Sequence, residues 1–155
     1  MQRITGRYFR EQTQQALQIF NKALNAAGSI SDDSDKARAL SNIVVELAKA
    51  GQFDKAFNAA GSISDDSAKA SALKDIAVEL AKTGQTQQAL QIFDKAVDVA
   101  GSISDDSYKA EALRYIAKEL AKAGQFDKAI NLINKKTNPY FTASILISIH
   151  QGYIE

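Results

Sequence analysis

The heptapeptide Gly-Ser-Ile-Ser-Asp-Asp-Ser occurs three times in this chain of 155 residues, beginning at Gly28, Gly61 and Gly101. A second string, Glu-Leu-Ala-Lys, begins at Glu46, Glu79 and Glu119, and each copy leads into a Gly-Gln pair at Gly51, Gly84 and Gly124. Self-similarity at a period of about 20–50 residues is the signature of a stacked repeat, in which each unit buries its apolar face only against its neighbours. The turn glycines stand 33 and 40 residues apart. The difference is close to two helical turns at about 3.6 residues per turn. The unit therefore comes in a short and a long form, and the change lies in its second helix.

Each unit reads as two helices. In the middle copy Ala70, Leu73, Ile76, Ala77 and Leu80 recur at helical spacing and form one apolar stripe. Ser64 to Ser67 supply an N-cap and put acids where the helix dipole favours them. Gly84 ends this helix, because glycine takes the left-handed conformation that a C-cap needs. Ala89, Leu90, Phe93, Ala96 and Val97 make the stripe of the second helix, with Gly101 as its expected end. In the short unit the second helix is expected from about Phe53 to Ala60.

The whole chain, 1–155, reads as one all-α domain, an α-solenoid of stacked antiparallel helix pairs with eight helices. Residues 11–27 nearly duplicate 84–100 and form a lone second helix. Residues 28–60 are the short repeat, 61–100 the long repeat and 101–138 a third. Residues 139–155 form a terminal first helix, with Pro139 near its start and Ala143, Leu146, Ile149 and Tyr153 as its stripe.

These residues resemble tetratricopeptide repeats. Leu73 sits at that family's first large position, Ile76 at its Leu, Ala77 at the small residue and Leu80 at its Tyr. Gly84 matches the turn glycine, Ala89 the near-invariant Ala, Phe93 the large aromatic and Ala96 the second Ala. The resemblance covers nearly the whole chain beyond residue 11. It departs in period, in Gly101 where the family usually has Pro, and in the short unit, which keeps Ala56 but loses the later aromatic and the second Ala. The resemblance implies a right-handed superhelix and a concave groove that holds a peptide.

Composition narrows the partners. The formal net charge of +1 gives no overall attraction to nucleic acid or an anionic membrane. Nucleic acid is not the expected partner, because Tyr115 is the only aromatic in the proposed groove, where single-strand binding needs stacking rings and a positive channel. No stretch is apolar and long enough for a membrane span, and a cytoplasmic location is expected. The chain has no Cys and a single histidine, His150. A nucleophile–base pair would need a Ser with His150, and no strand–turn–helix elbow surrounds any Ser. No phosphate loop or dinucleotide fingerprint occurs. The Asp pairs, as at Asp65-Asp66, lack the spacing of a calcium loop and read as helix-start acids. No enzyme activity, cofactor or metal is expected.

Comparing the copies with one another separates what is fixed from what varies. The first-helix positions that vary are Arg38/Ser71/Glu111, Ser41/Lys74/Arg114, Asn42/Asp75/Tyr115 and Val45/Val78/Lys118. They lie three or four apart and share a face opposite the stripe. In tetratricopeptide proteins the matching positions line the peptide groove. Here that groove becomes basic and aromatic towards the third copy, at Arg114, Tyr115, Lys118 and Lys122. The alternative is that exposed positions drift after duplication. Family members that clamp a C-terminal carboxylate use Lys and Asn at groove positions. Ser41, Asn42, Val45, Asp75, Glu111 and Tyr115 do not reproduce that set, so no such clamp is expected.

A non-enzymatic scaffold for a protein or peptide is therefore the leading expectation. The alternative is an array of copies meeting through the outer helices, with Phe20, Ile145, Ile147 and Ile149 as contacts. The near-identity of the copies fits a recent duplication or a consensus repeat made by design, and the unpartnered outer helices would also fit a piece of a longer array or a cap formed by residues 1–10 folding back.

Overall fold

The computed structural model describes residues 2–136 and, beyond them, Thr142, Ala143, Leu146, Ile147, Ile149 and His150. The described residues are all-helical, without a strand. The helices are α1 (Gln2–Gly28), α2 (Asp33–Lys49), α3 (Phe53–Gly61), α4 (Asp66–Lys82), α5 (Thr86–Ser102), α6 (Asp106–Lys122) and α7 (Phe126–Lys136). The six described residues beyond α7 are also helical. Pro139 and Tyr153, and so most of the expected eighth helix, lie outside the described residues.

The first helices α2, α4 and α6 each span 17 residues. The second helices are unequal: α3 has 9 residues and α5 has 17, which is where the length difference between units was expected. Helix α1 begins at Gln2, nine residues ahead of the expected start. Helices α2, α4 and α6 pack in succession as one layer, and each touches the second helices before and after it. Apolar side chains from both layers merge into one core, with Leu47, Ile76, Phe93, Leu113 and Ile116 almost fully buried.

The repeated heptapeptide joins one unit to the next, and each of its parts does something local. Its first Ser hydroxyl donates to a carbonyl of the preceding helix, Ser29 to Ala26 at 2.7 Å, Ser102 to Asp98 at 3.4 Å and Ser62 to Asn58 at 3.5 Å. Its Ile turns inward, with Ile63 1% and Ile103 6% exposed, while Ile30 is half-buried. Its first Asp is the N-cap of the next helix. Asp32 accepts from the Asp35 N–H, Asp65 from Ala68, and Asp105 from Ser107 and Tyr108. These bonds satisfy donors that a helix start leaves unpaired.

The other repeated string closes each first helix. Gly51, Gly84 and Gly124 have φ of 70°, 78° and 75°. The following Gln N–H reaches back to Leu47, Leu80 and Leu120 at 2.8–2.9 Å, the six-to-one bond of a Schellman turn. Within the same string Lys49, Lys82 and Lys122 pair with Glu46, Glu79 and Glu119 at 2.9, 2.7 and 3.6 Å. The Glu46 hydrogen bond and charge raise the Lys49 ammonium above its ordinary value.

Gly101 falls one residue short of the end of the second helix, but without the left-handed conformation of the turn glycines. It lies inside α5, which runs to Ser102, and Gly28 and Gly61 are likewise the last residues of α1 and α3. No glycine other than the three turn glycines has a positive φ among the described residues. Here the buried Ile that follows turns the chain out of the helix, with Ile103 extended at φ −60°, ψ 125°.

Candidate functional site

Since both invariant strings have structural work, the variable positions of α2, α4 and α6 are where a site would differ between units. Two grooves open on them. One, of about 620 Å³, lies between α2 and the start of α4, and Arg38, Ser41 and Asn42 line it. The other, of about 310 Å³, lies between α4 and α6, and Lys74, Glu111 and Tyr115 line it. The two are repeats of one another. Ser34, Ala37, Arg38 and Ser41 on α2 correspond to Ser67, Ala70, Ser71 and Lys74 on α4, and all eight face a groove.

The facing walls differ. In the first groove Ala68 contributes a methyl group, and the equivalent residue in the second is Tyr108. Beyond Tyr108 the wall continues along α6 through Glu111, Ala112, Tyr115 and Ile116. The packing of α4 on α6 is thinner than that of α2 on α4, and this accompanies the longer second helix α5, which packs along α4. Tyr108 is 62% and Tyr115 46% exposed. Sequence reasoning missed Tyr108. Its signal was available, since Asp35, Ala68 and Tyr108 vary at one position between copies, but the position sits in the first helical turn, away from the other variable positions.

The electrostatics of the second groove are set by pairs. The Lys74 ammonium and the Asp75 carboxylate are 2.5 Å apart, with 19% and 33% of their side chains exposed. Arg114 places its guanidinium carbon 4.4 Å from the centroid of the Tyr115 ring. Glu111 is exposed and has no ion-pair partner among the described residues. In the first groove Arg38 faces Asp35 at 3.5 Å.

Half of the expected groove residues thus line a groove. Asp75 pairs with Lys74 and Arg114 supports Tyr115, but neither lines the groove. Val45, Val78 and Lys118 are half-buried and outside both grooves; Val78 packs on the core. Lys122 is exposed and pairs with Glu119. The face opposite the apolar stripe is therefore narrower than expected, because its C-terminal positions turn towards neighbouring helices.

The expected outer contacts also need correction. Phe20 is half-buried and packs against the core, and Ile149 is 7% exposed within it. Ile147 is 60% exposed, as are Leu146 at 43% and Ile19 at 67%. Ile145 lies outside the described residues.

The opposite face, built from second helices, is linked by two equivalent contacts. Lys55 reaches Asn21 at 3.4 Å, and Lys128 reaches Asp94 at 3.1 Å. Among the described residues no group of three or more His, Asp or Glu could hold a metal ion, and no helix is long and apolar enough to cross a membrane.

No protein-family model and no curated protein matches the chain. Among solved structures it is similar to Ton1535 from Thermococcus onnurineus NA1, with a TM-score of 0.53 and 24% identity, covering 85% of this chain and 42% of Ton1535. At that identity the likeness is one of fold. The chain spans less than half the length of Ton1535.

Proposed function

We propose that the chain is a non-enzymatic interaction module of the tetratricopeptide-like kind, and that it holds a peptide or partner helix in the grooves between successive first helices. The observation that carries this reading is the groove between α4 and α6, lined by two exposed tyrosines, by small residues such as Ala70, Ser71 and Ala112, and by Glu111, which has no ion-pair partner among the described residues. Tyrosine is a preferred contact residue because it supplies a large, amphipathic surface at low entropic cost. A polypeptide is favoured over nucleic acid by the net charge of +1. A cytoplasmic location belongs to the same reading and is supported by the cysteine-free composition.

The test is selection of a displayed random-peptide library on the immobilised chain, followed by titration of the selected peptides. Tyr115→Ala and Glu111→Lys should each weaken binding about tenfold, while Asn58→Ala on the opposite face should not. Selected peptides that bind all variants equally would refute the groove.

A second reading, assembly of copies through outer helix faces, is favoured by the exposure of Ile19 and Ile147. It needs no groove and is separated from the first by mass in solution.

A further inference from the structure

The groove between α4 and α6 carries a spacing that the other groove lacks. Tyr108, Glu111 and Tyr115 fall at i, i+3 and i+7 on α6 and so share one face. The rest of the lining is Ser67, Ala70, Ser71 and Lys74 from α4 and Ala112 and Ile116 from α6. Seven residues of helix set the two tyrosines about 10.5 Å apart along the axis. One turn of polyproline II, three residues, rises about 9.3 Å. The two tyrosine positions thus stand about one polyproline II turn apart along α6, a spacing that suits prolines one turn apart.

The backbone of the ligand points the same way. A peptide bound as an added strand needs a sheet edge to pair with, and the described residues are helical, with their main-chain groups bonded internally. Without a strand to pair with, an extended ligand here keeps most of its backbone polar groups in water, apart from any met by the Ser71, Lys74 or tyrosine side chains of the lining. Polyproline II does so, and proline removes the N–H donor altogether. Its conformation is set before binding, so less entropy is lost on docking.

Charge decides the rest. Glu111 lies between the two tyrosines without an ion-pair partner among the described residues. The cation across from it, Lys74, is held by Asp75. A basic residue next to the prolines would meet Glu111 at the groove mouth.

We propose that the α4–α6 groove binds a proline-rich polyproline II segment that carries a basic residue beside its prolines. This rests on the groove reading above and names its ligand class. The test is calorimetric titration of the full chain with two synthetic peptides. One has about ten prolines interrupted by one arginine; the other keeps the arginine but replaces the prolines with alternating Gly and Ser. The proline peptide should bind, and the flexible one at least about tenfold more weakly. Tyr108→Ala and Tyr115→Ala should each weaken the proline peptide about tenfold with an unchanged helical spectrum. Glu111→Lys should shift the preference to a peptide with Glu in place of the arginine. Equal binding of the two peptides, both weakened by Tyr108→Ala, would overturn the ligand class and leave the groove standing. Binding that ignores both tyrosines would overturn the groove as well. Absence of binding by the proline peptide would overturn the ligand class, with the groove then judged by the library selection.

Discussion

Arg114 lies over the ring of the residue that follows it, Tyr115, with its guanidinium carbon 4.4 Å from the ring centroid. Neighbours in a helix do not ordinarily face each other, so the Arg114 side chain must curl back along α6 to make this contact. The stack holds a ring that lines the groove. It is worth about 0.5–1 kcal/mol at an exposed site. Arg114→Ala should therefore weaken a groove-bound peptide about two- to fivefold. The contact itself is read by NMR: the Arg114 side-chain protons should be shifted upfield by the ring and return to ordinary positions in Tyr115→Leu.

Two glycines that look alike in the repeat should respond in opposite senses to alanine. Gly84 has φ 78°, and a side chain in the left-handed region costs about 1–2 kcal/mol. Gly84→Ala should lower the melting temperature by about 2–8 °C. Gly61 is helical, and an added Cβ would meet nothing within 4 Å. Gly61→Ala should be neutral or raise stability by up to about 0.5 kcal/mol. Thermal unfolding followed by circular dichroism checks both.

The isoleucine of the heptapeptide should matter in proportion to its burial. Ile63 is 1% exposed, and Ile63→Ala should cost about 2–5 kcal/mol. Ile30, half-buried between α1 and α2, should cost clearly less. Urea denaturation of the two variants measures the difference, and equal costs would mean that the motif does not plug the core between units.

If copies assemble through the outer faces, Ile147→Glu should lower the mass at high concentration. Light scattering of the wild type over a wide concentration range decides this. A constant monomer mass would remove the assembly reading and leave the groove reading untouched.

Much of the fold was legible because its determinants are local. The Asp pairs mark helix starts, since an N-cap bond reaches only two or three residues along the chain. Gly51, Gly84 and Gly124 mark helix ends, since only a left-handed residue closes a Schellman turn. Gly101 stood within one residue of the end of α5, but a glycine's identity does not set its φ, and there the chain leaves the helix at the buried, extended Ile103. The candidate site was only half legible. Comparing copies found Glu111 and Tyr115 but passed over Tyr108, and it included Val78, which packs inward. Which variable residue meets a groove depends on how closely successive first helices approach, and that spacing arises from packing between units, with no pattern inside one unit to announce it.

The proposed ligand lies between α4 and α6. The most direct measurement is amide chemical-shift mapping of the isotope-labelled chain as a library-selected peptide is added. Shifts should concentrate in residues 67–75 and 108–116 and need about tenfold more peptide to reach the same size in Tyr115→Ala. Shifts on the α3 and α5 face around Phe57 and Lys95, with the groove amides unmoved, would contradict this placement.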